Sequence, residues 1–167
     1  MLAGILLITG FLIVWWALYC YVLYRIVRKF DSSVSYLEML VPFWGFYRVI
    51  KTAFDRPTAD YYFWGSIILL ILLFNFGYPE DRVFKLASDL LYTLIANVPM
   101  ILIAQKLGKN IWLYSILLLV VPAIVMMFPL VYYTIGFLVC MTVLIKIGFD
   151  SSKPFSQLTE EIPDKTI

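Results

Sequence analysis

Apolar residues along this chain neither alternate nor keep to one helical face; they fill whole stretches, separated by short polar clusters. An apolar stretch of about 18 residues or more predicts a helix that crosses a bilayer, since a helix satisfies its own backbone groups without water. Residues 2–24, 61–78 and 86–104 are three such stretches. The run from Ile111 to Ile145 holds about 35 residues, far more than one crossing needs. Pro122 and Pro129, with Gly136 beyond them, offer a break. That run therefore predicts two spans, 111–127 and 129–146, joined by a tight turn near Met126 to Pro129.

Residues 34–55 fit neither pattern. Tyr36, Leu37, Leu40, Phe43, Trp44, Tyr47 and Ile50 recur near helical spacing. This predicts one face in the headgroup region, with Glu38, Arg48 and Lys51 reaching water. Pro42 breaks or kinks any continuous helix here, and Pro42 and Gly45 bracket the aromatic pair Phe43 and Trp44. The stretch reads as a re-entrant or interfacial amphipathic element. After Arg56 and Pro57, Asp60 is expected to cap the next helix, with Tyr61 to Trp64 at its start. The fold class is thus all-α: a polytopic membrane helical bundle of about five transmembrane spans plus one re-entrant or interfacial element.

Positive charge at span ends marks the cytoplasmic side. Arg25, Arg28 and Lys29 follow the first span, Arg48, Lys51 and Arg56 lie in the central stretch, and Lys106, Lys109 and Lys146 close later spans. The segment Pro79 to Lys85 mixes Glu80, Asp81, Arg82 and Lys85 and reads as an outer loop. The expected topology is N-terminus outside and C-terminus cytoplasmic, with 1–148 a single membrane domain and 149–167 a flexible cytoplasmic tail. The first span has no basic region before it and no small-residue cleavage site after it, so it does not read as a removable signal peptide.

Composition sharpens the class. Of the 167 residues, 63% are hydrophobic and 14% charged, with mean hydropathy +0.91, against about 45–50% and 25% in soluble domains. Little chain is left for a separate soluble domain. Histidine is absent, and Cys20 and Cys140 both lie inside apolar runs. The commonest general base and the commonest metal ligand are therefore missing, and no disulfide framework is implied. No catalytic residue, cofactor or metal is expected, and no basic patch points to nucleic acid.

Three pieces together resemble a family of small bacterial polytopic membrane proteins of unknown function, whose domain is sometimes joined to a type I signal peptidase. They are VPFWGFYRVIKTAFDRP, IAQKLGKN and VPAIVMMFPLVYYTIGF, covering about Val41 to Phe137. The resemblance implies an architecture and a bacterial inner (cytoplasmic) membrane. It implies no activity, and no peptidase portion is present here.

Candidate residues fall in two groups. Asp89, Thr93 and Asn97 recur at steps of four on the third span and form a polar stripe. An ionisable group within a span lines a path or meets a partner; the alternative for Asp89 is a surface pair with Lys85, one turn away. Asn97 and Asn75 read better as hydrogen bonds between helices. Glu38 and Arg48 either pair across the Pro42 to Gly45 turn and pin a re-entrant shape, or make two solvated headgroup contacts. Together with Pro42, Phe43 and Trp44 they form the candidate partner surface.

These features favour a non-catalytic accessory or scaffold subunit that binds a larger membrane protein complex, or forms a homo-oligomer, in the lipid bilayer. The alternative is a small transporter, channel or lipid-handling protein with a polar path along the third span. An intramembrane enzyme ranks last, because Asp89 lacks a second carboxylate at similar depth, Asp60 being expected on the opposite face.

Overall fold

A computed structural model describes residues 2–75, 82–125 and 135–154. The apolar stretches fold as helices: α1 Leu2–Val27, α2 Tyr36–Leu40, α3 Pro42–Ala53, α4 Arg56–Asn75 and α5 Arg82–Lys106. They are followed by α6, Ile111–Val125, and α7, Phe137–Phe149. Among the described residues there is no strand, so the chain is all-α. Two helical segments, Ile5–Val27 and Lys85–Lys106, are long and apolar enough to cross a membrane, while Ile111–Val125 and Leu138–Phe149 are shorter apolar helices.

Helix boundaries move outward from the apolar runs, because helices end at caps rather than at the last apolar residue. The first helix continues through Arg25 to Val27. α4 starts at Arg56, since Pro57 is tolerated in a first turn where its missing N–H would have no intrahelical partner. Asp60 is therefore inside the helix and does not cap it; its carboxylate accepts from the Tyr47 hydroxyl of α3 at 2.7 Å. α5 ends where Gly108, at φ +69°, turns the chain; Lys109 N–H closes onto the Ala104 carbonyl at 3.0 Å, and Asn110 then caps α6.

Prolines inside helices are accommodated rather than used as breaks. Pro122 lies within α6, whose segment Ile116–Val120 widens into a π-helix just before it. Pro99 lies within α5. Each proline offers no N–H to the carbonyl four residues earlier. A neighbouring helix supplies the donor in both cases: Tyr62 Oη on α4 donates to the Ile95 carbonyl at 3.1 Å, and Asn97 Nδ2 on α5 donates to the Leu118 carbonyl at 2.9 Å. The expected turn near Met126 to Pro129, residues 79–81 of the expected outer loop, the tail beyond Pro154 and the Asn75 side chain lie outside what is described.

The main core joins Ile26 and Val27 of α1 with Met39, Val49, Ile103, Leu118 and Ile147, each from a different helix. A smaller cluster, Ile50, Ala59 and Phe63, seats α3 on α4. The C-terminal ends of α1, α5 and α7 and the N-terminal end of α4 meet at one end of the bundle. There Lys29 Nζ donates to the Ile147 carbonyl at 2.7 Å, Lys106 Nζ donates to the Thr52 carbonyl at 2.9 Å, and Lys109 pairs with Asp150. Phe149 belongs to α7, Asp150 is held by Lys29 and Lys109, and Pro154 is buried, while Ser151 and Lys153 are exposed. The stretch expected to be a free tail from 149 is thus anchored for its first residues, because Lys29 and Lys109 grip the end of α7.

Candidate functional site

The α2 and α3 helices form a helical hairpin at this charged end. Ser35 and Glu38 make a capping box: Glu38 N–H donates to Ser35 Oγ at 3.3 Å, and Ser35 N–H donates to Glu38 Oε1 at 3.4 Å. Val41 is at once the C-cap of α2 and the N-cap of α3, and Pro42 opens α3 at a position suited to its fixed φ. The chain therefore bends at Val41, and the two helices do not share one amphipathic face. Met39, Gly45, Val49, Ile50 and Ala53 turn inward, so Ile50 leaves the face that spacing assigns to the headgroup region, while Leu37, Phe43 and Trp44 of that face are exposed. Residue spacing predicts a face only while the helix is continuous.

The hairpin runs back along α1. Trp16 Nε1 donates to the Leu40 carbonyl at 3.2 Å, and Tyr36 Oη donates to the Ala17 carbonyl at 2.8 Å. Trp16 lies about 11 residues, roughly 16 Å of helix, before the end of α1. At the other side of the turn, Arg48 Nη1 is 3.7 Å from Asp31 Oδ2, back in the loop that follows α1. The element therefore runs along α1 and returns to the loop that follows it.

One carboxylate fastens this shape. Glu38 Oε1 serves the start of α2, while Oε2 meets Arg48 Nη2 at 2.7 Å and Nε at 2.9 Å and accepts from Trp44 Nε1 at 3.3 Å. The Arg48 guanidinium also lies 5.6 Å from the Trp44 ring centroid. The Glu38 and Arg48 side chains are 29% and 22% exposed, so the pair is partly withdrawn from water and not two independent headgroup contacts. Burial alone would raise the Glu38 pKa; the Trp44, Arg48 and Ser35 donors outweigh it and hold the carboxyl below its ordinary value. Asp31 is likewise lowered, first by the Ser33 hydroxyl at 2.6 Å and then by the Ser33 N–H at 3.0 Å.

Gly45 sets how closely the two helices meet. A Cβ there would lie 2.7 Å from the Met39 carbonyl oxygen, a backbone atom, so no side chain fits. Above the lock, Leu37, Val41, Phe43 and Trp44 are 72%, 53%, 67% and 48% exposed. The hairpin thus displays an apolar tip on a fixed frame.

The second group of candidates is separate. Thr93 is buried and spends its hydroxyl on the Asp89 carbonyl of its own helix at 2.9 Å. Asn97 is occupied by Leu118, and Asp89 is half-buried, about 17 residues or roughly 25 Å of helix from the charged end. Structure and sequence agree that Asn97 joins helices. Sequence reasoning passed over Asp31, Ser35 and the Tyr62 hydroxyl. The Ser-x-x-Glu pattern at Ser35 to Glu38 was a legible signal for a helix start, whereas Asp31 and Tyr62 become partners only through the fold.

These features define an all-helical protein with two helices able to cross a membrane and an ionically locked helical hairpin. Comparison with family models, with curated proteins and with solved structures gives no match to this chain.

Proposed function

We propose that the chain is a non-catalytic membrane subunit that docks onto a larger membrane protein complex through the tip of the α2–α3 hairpin. The observation that carries this reading is the combination of a rigid frame with an exposed apolar tip. Glu38, Arg48, Trp44 and Gly45 fix the frame, and Leu37, Val41, Phe43 and Trp44 are displayed by it. A hairpin needed only to fill lipid would gain little from such fixing, whereas preordering a surface lowers the cost of binding a protein.

The resemblance to the small bacterial membrane family and the cations gathered at one end favour a five-span arrangement in a bacterial inner membrane. In it, α1, α4, α5, α6 and α7 cross, with the charged end cytoplasmic and the N-terminus outside. A transport path has less support, since Thr93 and Asn97 already spend their polar groups within the bundle.

The test places a photo-crosslinking residue at Phe43, or at Leu37, in the protein tagged and expressed in its native membrane. Purification in mild detergent and mass spectrometry then identify what is attached. A discrete adduct with one unrelated membrane protein, lost in Arg48→Ala, supports docking. Adducts with lipid alone, or with a second copy of the chain, would overturn it.

A further inference from the structure

Charges at the crowded end of the bundle are sorted. On the α2–α3 side the cations Arg48, Lys51 and Arg56 stand among Asp31, Glu38, Asp55 and Asp60. On the α1–α7 side, Arg25, Arg28, Lys29, Lys109 and Lys146 lie at or near helix ends, and among the described residues there the carboxylate is Asp150, already engaged by Lys109. Lys29 is turned inward to the Ile147 and Asp150 carbonyls. Its pKa is lowered first by burial and then, against Asp150, by Lys109 and Arg25, which places these cations within mutual range.

Arg25 and Arg28 differ from the lysines. Both are exposed, Arg25 on the last turn of α1 and Arg28 just past its end, and among the described residues neither has a carboxylate within ion-pair distance. Each guanidinium is braced by an aromatic ring: Arg25 lies 4.9 Å from the Phe149 centroid, and Arg28 lies 5.4 Å from the Tyr24 centroid and donates to its hydroxyl. Leu18 and Tyr21 precede them on the same face of α1, all exposed. Tyr21 meets Phe149 of α7 at 6.3 Å, and Ile145 lies exposed one turn before Phe149. An apolar track therefore leads along α1 and α7 to two arginines that pair with no carboxylate among the described residues.

We infer that this face is a binding site for an anionic phospholipid, with Arg25 and Arg28 taking the phosphate and Leu18, Tyr21, Ile145 and Phe149 taking the upper acyl chain. An arginine presents a planar fork of donors that matches a phosphate, and stacking on a ring keeps the fork oriented. A cation at a membrane surface adds roughly fivefold to the affinity for an anionic headgroup, so the pair adds roughly thirtyfold. The site rests on the membrane reading proposed above.

The full-length protein is purified in detergent, stripped of lipid and titrated by native mass spectrometry with phosphatidylglycerol or with phosphatidylcholine of the same chains. Phosphatidylglycerol is expected to be retained at least tenfold better. Arg25→Gln with Arg28→Gln is expected to remove roughly thirtyfold of that affinity and Arg28→Gln alone roughly fivefold, while Lys51→Gln with Arg56→Gln leaves it unchanged. The single Arg28 variant keeps the question open to test should the double variant not fold. Equal retention of both lipids, or equal losses in the two double variants, would overturn the site. Release of the protein from native membranes by alkaline wash would instead sink the membrane reading itself.

Discussion

The side-chain amide of Asn97 on α5 donates to the backbone carbonyl of Leu118 on α6 at 2.9 Å, at the place where Pro122 withholds the N–H that an α-helix would supply. The bond explains why a proline persists in an apolar helix without ending it. The local π-helix shifts the register and the Asn97 amide of the preceding helix meets the buried Leu118 carbonyl, so the polar stripe on α5 works here as a strap between helices.

That relationship makes a coupled prediction. Asn97→Ala is expected to cost about 0.6 kcal/mol and at most about 1.7 kcal/mol, the range for hydrogen bonds between membrane helices. In a Pro122→Ala background the Leu118 carbonyl regains an intrahelical donor, so the same substitution should cost less. A double-mutant cycle on unfolding in mixed micelles measures the difference; equal costs in both backgrounds would show that the proline is not what makes Asn97 matter.

Tyr62 performs the matching task at Pro99. Tyr62→Phe keeps the stacking on Phe54, whose ring lies 4.7 Å away, and removes the donor to Ile95 together with its longer contact to the Leu94 carbonyl at 3.5 Å. The expected loss is about 0.5–1.5 kcal/mol, read as a lower midpoint in denaturing detergent. A midpoint unchanged from the parent would mean that the Ile95 carbonyl needs no partner.

Gly45→Ala forces a methyl group against the Met39 backbone, which can move only if α2 and α3 separate. Overpacking of this kind costs about 1–3 kcal/mol. The variant should show faster amide exchange through residues 36–50 than the parent, with α5 unaffected, as measured by hydrogen exchange and mass spectrometry.

Acid should open the same hairpin. Asp31 and Glu38 ionise more readily in the folded chain than in an unfolded one, and so does Asp150, chiefly through Lys109. Their contribution is present above the ordinary carboxylate range and is lost as the pH falls below about 4 and through the depressed folded values. Exchange protection of α2, α3 and the end of α7, corrected for intrinsic rates, is expected to hold from pH 7 to 5 and to fall below pH 4. Glu38→Gln should reduce the hairpin's share of that fall, leaving the part due to Asp31 and the share at α7.

Sequence by itself determined the helical class and most helix positions, because long apolar runs admit no other backbone that satisfies its own polar groups. It also determined that 34–55 is broken at Pro42 and that Asn97 serves packing, since both follow from local chemistry. Tertiary structure alone decided the form of that break. Whether Glu38 and Arg48 pair, whether Phe43 faces in or out, and whether Asp60 caps a helix or takes a tyrosine hydroxyl all depend on the angle at Val41 and the close approach at Gly45. The same holds for Arg25 and Arg28, whose lack of a carboxylate among the described residues is a property of which helix ends meet. Side-chain partners far apart in the chain are chosen by packing, and packing is a property of the whole bundle that no local pattern encodes.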